Sequence, residues 1–197
     1  MKLSMTPISV ANRFRNGEMD LEGFVNYCAE LELDGVDVLD SNGYPWLWKN
    51  KKKEFAELPR YLEKSGMKLA ACAAGNNFAK ADADERRDSI DIVKGAIRET
   101  AELGCSVLRV FGGHLSDEFG HATGLGYVID GLAACLPDAE RLDVTLALEN
   151  HGGLPGLSYE VKRIVDVFDS PNMKVTFDCA NFMGDTLKEK ENTLTAY

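Results

Sequence analysis

No CxxC pair occurs among the five cysteines, Cys28, Cys72, Cys105, Cys135 and Cys179. Their odd number and long spacings argue against a disulfide scaffold or a zinc ribbon, and for a reducing compartment. Each lies in or beside an apolar segment, as a small buried hydrophobe would. Positive charge is in deficit, with 22 Lys and Arg against 32 Asp and Glu, a net charge of −10. Such a surface repels phosphate backbones, so nucleic acid is not an expected partner. No apolar run approaches the roughly 20 residues that span a bilayer, and no membrane partner is expected. The opening MKLSMTPISV is too short and too polar for a signal peptide. These absences together predict a cytoplasmic protein. A P-loop is also missing, and ISVANRFRNGE stands where a dinucleotide-binding sheet would carry GxGxxG.

What the chain does have is an ordinary globular balance, 45% hydrophobic and 27% charged, in 197 residues. That predicts a single domain over 1–197. One arrangement recurs: an amphipathic stretch, a glycine, then a short apolar strand. It is seen in FVNYCAELELDGVDVLD, RYLEKSGMKLAACAAG and GAIRETAELGCSVLRVFGG, with Gly35, Gly66 and Gly104 at the predicted helix ends. Helical stripes run through Leu21, Phe24, Val25, Cys28 and Leu31, through Ile90, Val93 and Ile97, and through Val161, Ile164, Val165 and Phe168. Asp20, Asp82 and Ser158 are the expected N-caps. Pro59 should break or kink the helix between Lys53 and Lys64. NKKKE, Asn50 to Glu54, reads as a solvated helix start. Strands are expected near Leu3–Val10, Val36–Leu39, Leu69–Cys72, Val107–Phe111, Val144–Leu148 and Lys174–Phe177. Alternating strand and helix means parallel strands. Two architectures fit: an open doubly wound sheet and a β/α barrel.

Polar residues fall in one place. Every strand is followed at once by polar or glycine residues: Asn12 and Arg13; Asp40, Ser41 and Asn42; Gly75, Asn76 and Asn77; Gly112, Gly113 and His114; Glu149, Asn150 and His151; Asp178 and Asn181. Parallel strands would bring all of these to one rim, where such folds build their sites. Glu149 and Asp178 close consecutive strands and should be neighbours about 5 Å apart in the backbone. Two carboxylates in a dry rim repel unless one is protonated or a cation lies between them. A divalent metal satisfies both. Oxygen ligands favour Mg²⁺ or Mn²⁺, and an added imidazole admits Zn²⁺ or Co²⁺.

LALENHGG followed by KVTFDCANF, with VLRVFGGH upstream, resembles the sugar phosphate isomerase/epimerase family, the xylose isomerase-like TIM barrels. The resemblance runs through the whole chain. It implies one divalent metal held by four ligands at the C-terminal rim, of which Glu149 and Asp178 match the first two. It also implies that Glu149 transfers protons to and from a bound sugar. Asn181 stands where many members have His; Asn is a poor zinc ligand, which favours the single-metal sugar branch over the DNA-repair branch. His151 and His114 are candidates for holding substrate groups, while His121 is read as opening a helix. Trp46, in the loop with Tyr44, Pro45 and Trp48, is a candidate wall of the sugar pocket or part of an interface between copies of the chain.

The family has eight strands, and only six are counted here. The expectation is a (β/α) TIM-barrel type domain truncated to about six βα units, without strands seven and eight and their two ligands. Such a chain should bind metal weakly, have little activity and associate to cover its open edges. The implied chemistry of a complete form is isomerisation or epimerisation of a ketose through an enediolate. A dehydratase or endonuclease reaction on the same rim, or a non-catalytic role, are the competing expectations.

Overall fold

A computed structural model describes residues 1–181. Six strands form one sheet: β1 (Ser4–Met5), β2 (Gly35–Leu39), β3 (Lys68–Ala73), β4 (Val107–Phe111), β5 (Thr145–Glu149) and β6 (Met173–Thr176). Each lies parallel to its neighbours, and the order across the sheet is the order along the chain. A doubly wound sheet reverses its order at a switch point. Nothing reverses here, so of the two architectures the barrel type is the one adopted, with six strands in sequence. Helices α1 (Ala11–Arg15) and α2 (Leu21–Glu30), then α3 (Lys51–Ser65), α4 (Ala83–Glu102), α5 (His121–Arg141) and α6 (Ser158–Phe168) make the crossovers.

Burial explains the packing. The faces of α2, α3, α4 and α5 that carry Leu21, Phe24, Val25, Leu58, Val93, Ile97, Val128 and Leu132 are fully buried. They meet Val36, Leu108, Val110, Leu146 and Leu148 of the sheet, which are buried to the same degree. The helix starts follow from local hydrogen bonding. Asp20 accepts from the Gly23 amide, Asn50 from Lys53, and Asp82 from both Asp84 and Glu85. No helix among the described residues is long and apolar enough to cross a membrane.

Strands β2 to β6 begin and end within one residue of expectation. The first does not. Extended pairing stops at Met5, because Pro7 fixes φ and removes a donor, and Pro7–Val10 is a 3₁₀ turn leading into α1. Gly66 and Gly104 are left-handed as expected, but Gly35 is not. Helix α2 ends earlier, with Glu32 left-handed, and Leu31 is an exposed residue past the helix. Gly35 instead starts β2, where an added Cβ would lie 2.8 Å from the Lys68 carbonyl oxygen. Pro59 does not break its segment: α3 is continuous from Lys51 to Ser65, and Pro59 lies on its exposed side. Ser158 is the first residue of α6 rather than its cap. Leu157 occupies that position, and the Glu160 carboxylate accepts from the Gly156 and Leu157 amides. Among the cysteines Cys179 is exposed and the other four are buried, all as free thiols.

Candidate functional site

The C-terminal strand ends are stitched to one another by side chains. At the end of β2, Asp40 is buried and accepts three backbone N–H groups, from Asn42 (2.9 Å), Gly43 (2.7 Å) and Gly75 beyond β3 (2.6 Å). Burial raises the Asp40 pKa, and the amides of Gly43, Gly75 and Asn42 oppose that rise. Asn76 clamps β3 to β4: its Nδ2 donates to the Phe111 carbonyl (2.7 Å) and its Oδ1 accepts from the Phe111 amide (3.0 Å). Asn150 repeats this clamp between β5 and β6, donating to the Asp178 carbonyl (2.8 Å) and accepting from the Asp178 amide (2.9 Å). These residues are part of the polar rim foreseen from the sequence, and their work is to hold strand ends in place.

Between β4 and β5 the rim is joined differently. Gly113–His114 pairs antiparallel with Gly153–Leu154. The approach is so close that a Cβ on Gly112 would sit 2.0 Å from the Leu154 carbonyl oxygen. Gly112→Ala is expected to push this segment outward and to destabilise the chain by about 1–3 kcal/mol, as overpacking does. Chemical unfolding measures it, and wild-type stability would contradict the stated closeness.

The clamp sets Glu149 and Asp178 side by side. Glu149 is buried and Asp178 half-buried. Around one atom, Asn181 Nδ2, three side chains converge: Asp178 Oδ2 at 2.9 Å, His151 Nδ1 at 3.1 Å and Glu149 Oε1 at 3.3 Å. A primary amide has no net charge, so it cannot balance the two carboxylates that meet it. A cation can, and the donor set of two carboxylates and an imidazole suits Mn²⁺, Zn²⁺ or Co²⁺. The fit needs contraction. As placed, no three His, Cys, Asp or Glu among the described residues are grouped to hold a metal, and metal bonds to such ligands are about 2.0–2.2 Å.

The other expected residues lie at varying distance. His151 stacks on Phe111 with ring centroids 4.6 Å apart, and its Nδ1 is 3.3 Å from Glu149 Oε1. His114 is exposed, its ring 6.1 Å from that of His151. Trp46 is half-buried on the β2 loop, against Phe14 (5.8 Å) and Tyr44 (6.3 Å). The structure thus gathers Glu149, His151, Asp178 and Asn181, leaves His114 at their edge, and places Trp46 against Phe14 and Tyr44. Trp48 is a core residue whose indole donates to the Leu39 carbonyl. His121 opens α5 and meets the buried Glu160 at 2.5 Å.

Sequence reading missed Arg109. It sits in the middle of β4, and its Nη1 donates to Glu149 Oε2 at 2.8 Å. A charge inside an apolar strand was the available signal. Nearby, burial pushes the Asp37 carboxyl up, against the Ser4 hydroxyl bond and the Arg109 charge. Burial likewise pushes the Tyr44 phenol up; the Arg109 charge opposes this, while Asp40 and Glu149 add to it. A raised folded pKa makes Asp37 cost stability as pH climbs above its unfolded value, near 3.8. Asp37→Asn is therefore expected to raise the melting temperature at pH 7 and to make no difference below that value. A thermal scan across pH tests this, and equal curves at pH 7 would refute it.

Sequential parallel strands with carboxylates at their C-terminal ends define the rim of a β/α-barrel. The chain belongs to the xylose isomerase-like TIM barrel family, whose model matches residues 25–196. No curated protein matches it. Among solved structures, a zinc-bound IolI protein is similar at TM-score 0.77 and 18% identity, covering 96% of this chain and 67% of that one. The D-psicose 3-epimerase of Clostridium cellulolyticum H10, crystallised with D-tagatose, matches at TM-score 0.75 and 16% identity, with 100% and 71% covered. A protein of Sinorhizobium meliloti 1021 matches at TM-score 0.73 and 22% identity, with 93% and 65% covered. The chain thus spans about two thirds of the length of these neighbours.

Proposed function

We propose that this rim serves a metal-dependent isomerase or epimerase acting on a ketose or related polyhydroxy compound. The observation that carries the reading is the convergence of Glu149, His151 and Asp178 on one point, held by Asn181 Nδ2. Glu149 and Asp178 would ligate Mn²⁺, Mg²⁺, Zn²⁺ or Co²⁺, and a bound ion would supply Lewis acidity toward a substrate carbonyl. The family match, the zinc carried by the IolI neighbour and the epimerase activity named for another neighbour support this.

The chain's own residues then have distinct tasks. Glu149 takes and returns the proton on the carbon beside the carbonyl. Asn181 donates to a substrate hydroxyl once its amide yields its present place. The imidazole of His151, braced on Phe111, holds a second hydroxyl, and His114 a more distant one. Tyr44, whose phenol burial holds above its ordinary range, offers an O–H to the substrate. Trp46 backs Tyr44 and completes the wall.

Proton transfer leaves an isotopic trace even where turnover is slow. Incubated with Mn²⁺ and a panel of free ketoses in D₂O, the chain is expected to place deuterium on the carbon next to the carbonyl, read by NMR. No exchange at saturating metal would reject the isomerase reading. Water loss from a hydroxy acid, or nicking of abasic DNA, would assign the rim to another reaction class.

A further inference from the structure

We infer that Arg109 is the positioning residue for Glu149: it anchors Oε2 inside the barrel and turns Oε1 to the rim. This rests on the reading of Glu149 as proton-transfer group and metal ligand. Four observations carry it.

Along β4 the fully buried Leu108 and Val110 alternate with the half-buried Val107, Arg109 and Phe111, so Arg109 belongs to the same face as Phe111. Its register partners on either side are both alanines, Ala73 on β3 and Ala147 on β5. Barrel interiors are ordinarily filled by branched side chains. Two methyl groups here leave width for one long side chain and give it nothing to bond with sideways.

The guanidinium lies over its own neighbour Phe111, 4.7 Å from the ring centroid, which fixes its plane. From there Nη1 reaches one strand over and two pairs up the ladder to Glu149, since Phe111 is the residue level with Glu149.

The two carboxylate oxygens are held unequally. Oε2 receives a charge-assisted bond of 2.8 Å, whereas the contacts of Oε1 with Asn181 and His151 are both 3.3 Å. The anchored oxygen is Oε2, and the loosely held Oε1 is the one that joins Asp178 and His151 around Asn181 Nδ2.

Finally, Arg109 Nε is buried with no partner among the described residues. A packing-driven arginine would satisfy that donor. The side chain is placed for its carboxylate instead. Asp37 and Tyr44 are the other groups within reach of its charge, and neither replaces Glu149 as its ion-pair partner.

The full chain, titrated with Mn²⁺ alone by calorimetry, tests this. Arg109→Met is expected to weaken binding about 10–100-fold, the usual effect of losing a group that orients a ligand. Arg109→Lys should recover part of the loss, because it keeps the charge and gives up the fork. Unchanged or tighter binding by Arg109→Met overturns the inference. In parallel, a double-mutant cycle of Arg109→Met and Glu149→Gln is read on unfolding midpoints in EDTA. Non-additivity supports the anchor and additivity overturns it. Should the wild type fail to bind Mn²⁺, the metal reading of the rim falls, while the cycle still decides the role of Arg109.

Discussion

Glu149→Gln is expected to fold and to bind Mn²⁺ about 100-fold or more weakly than the wild type. The amide keeps the shape of the carboxylate and an oxygen that can face Arg109, so the strand end stays in place. What disappears is the negative charge at Oε1, on the one side chain of the convergent three that is deeply buried. Asp178→Asn should cost less. Its carboxylate is half-exposed, so water can partly take its place beside an ion. Calorimetry on the two variants gives the ranking directly. Equal losses, or none for Glu149→Gln, would remove Glu149 from the centre of the site.

Asp40→Ala is expected to give the largest loss of stability. Three amide donors, from Asn42, Gly43 and Gly75, share this one buried acceptor group. Each buried donor left without a partner costs about 1–3 kcal/mol. Allowing for relaxation and some water entry, the sum is about 3–5 kcal/mol. For a chain of this size that corresponds to a fall of about 10 °C in melting temperature. Asp40→Asn should land between the two, because its amide offers one acceptor oxygen and turns a second donor toward a donor. A melting temperature for Asp40→Ala within experimental error of wild type would show that the amides find other partners.

The rim was legible in the sequence as a place, and less so as a division of labour. The apolar pattern marked where β2 to β6 end, and polar residues at those ends had to share a side. Yet a polar residue at a strand end can bond to substrate or to the backbone of the next strand, and composition does not distinguish them. Asn76 and Asn150 are both spent on the backbone, as is Asp40, whereas Asn181 faces the carboxylates. Arg109 was hidden for the opposite reason. VLRVFGG reads as a core strand, and the meaning of its charge depends on Ala73 and Ala147, which are distant in sequence and become neighbours only through strand register. The end of β1 and the persistence of α3 through Pro59 were decided by local backbone chemistry that an apolar pattern overlooks.

The two asparagine clamps carry a consequence for how such a rim can diversify. Asn150 fixes the spacing of β5 and β6 using main-chain atoms of Asp178, and Asn76 does the same at Phe111. The identity of the side chains at 149, 178 or 111 plays no part in these bonds. The rim is therefore a mount with interchangeable fittings: exchanging a carboxylate there changes what the chain can react with and leaves the frame that presents it intact.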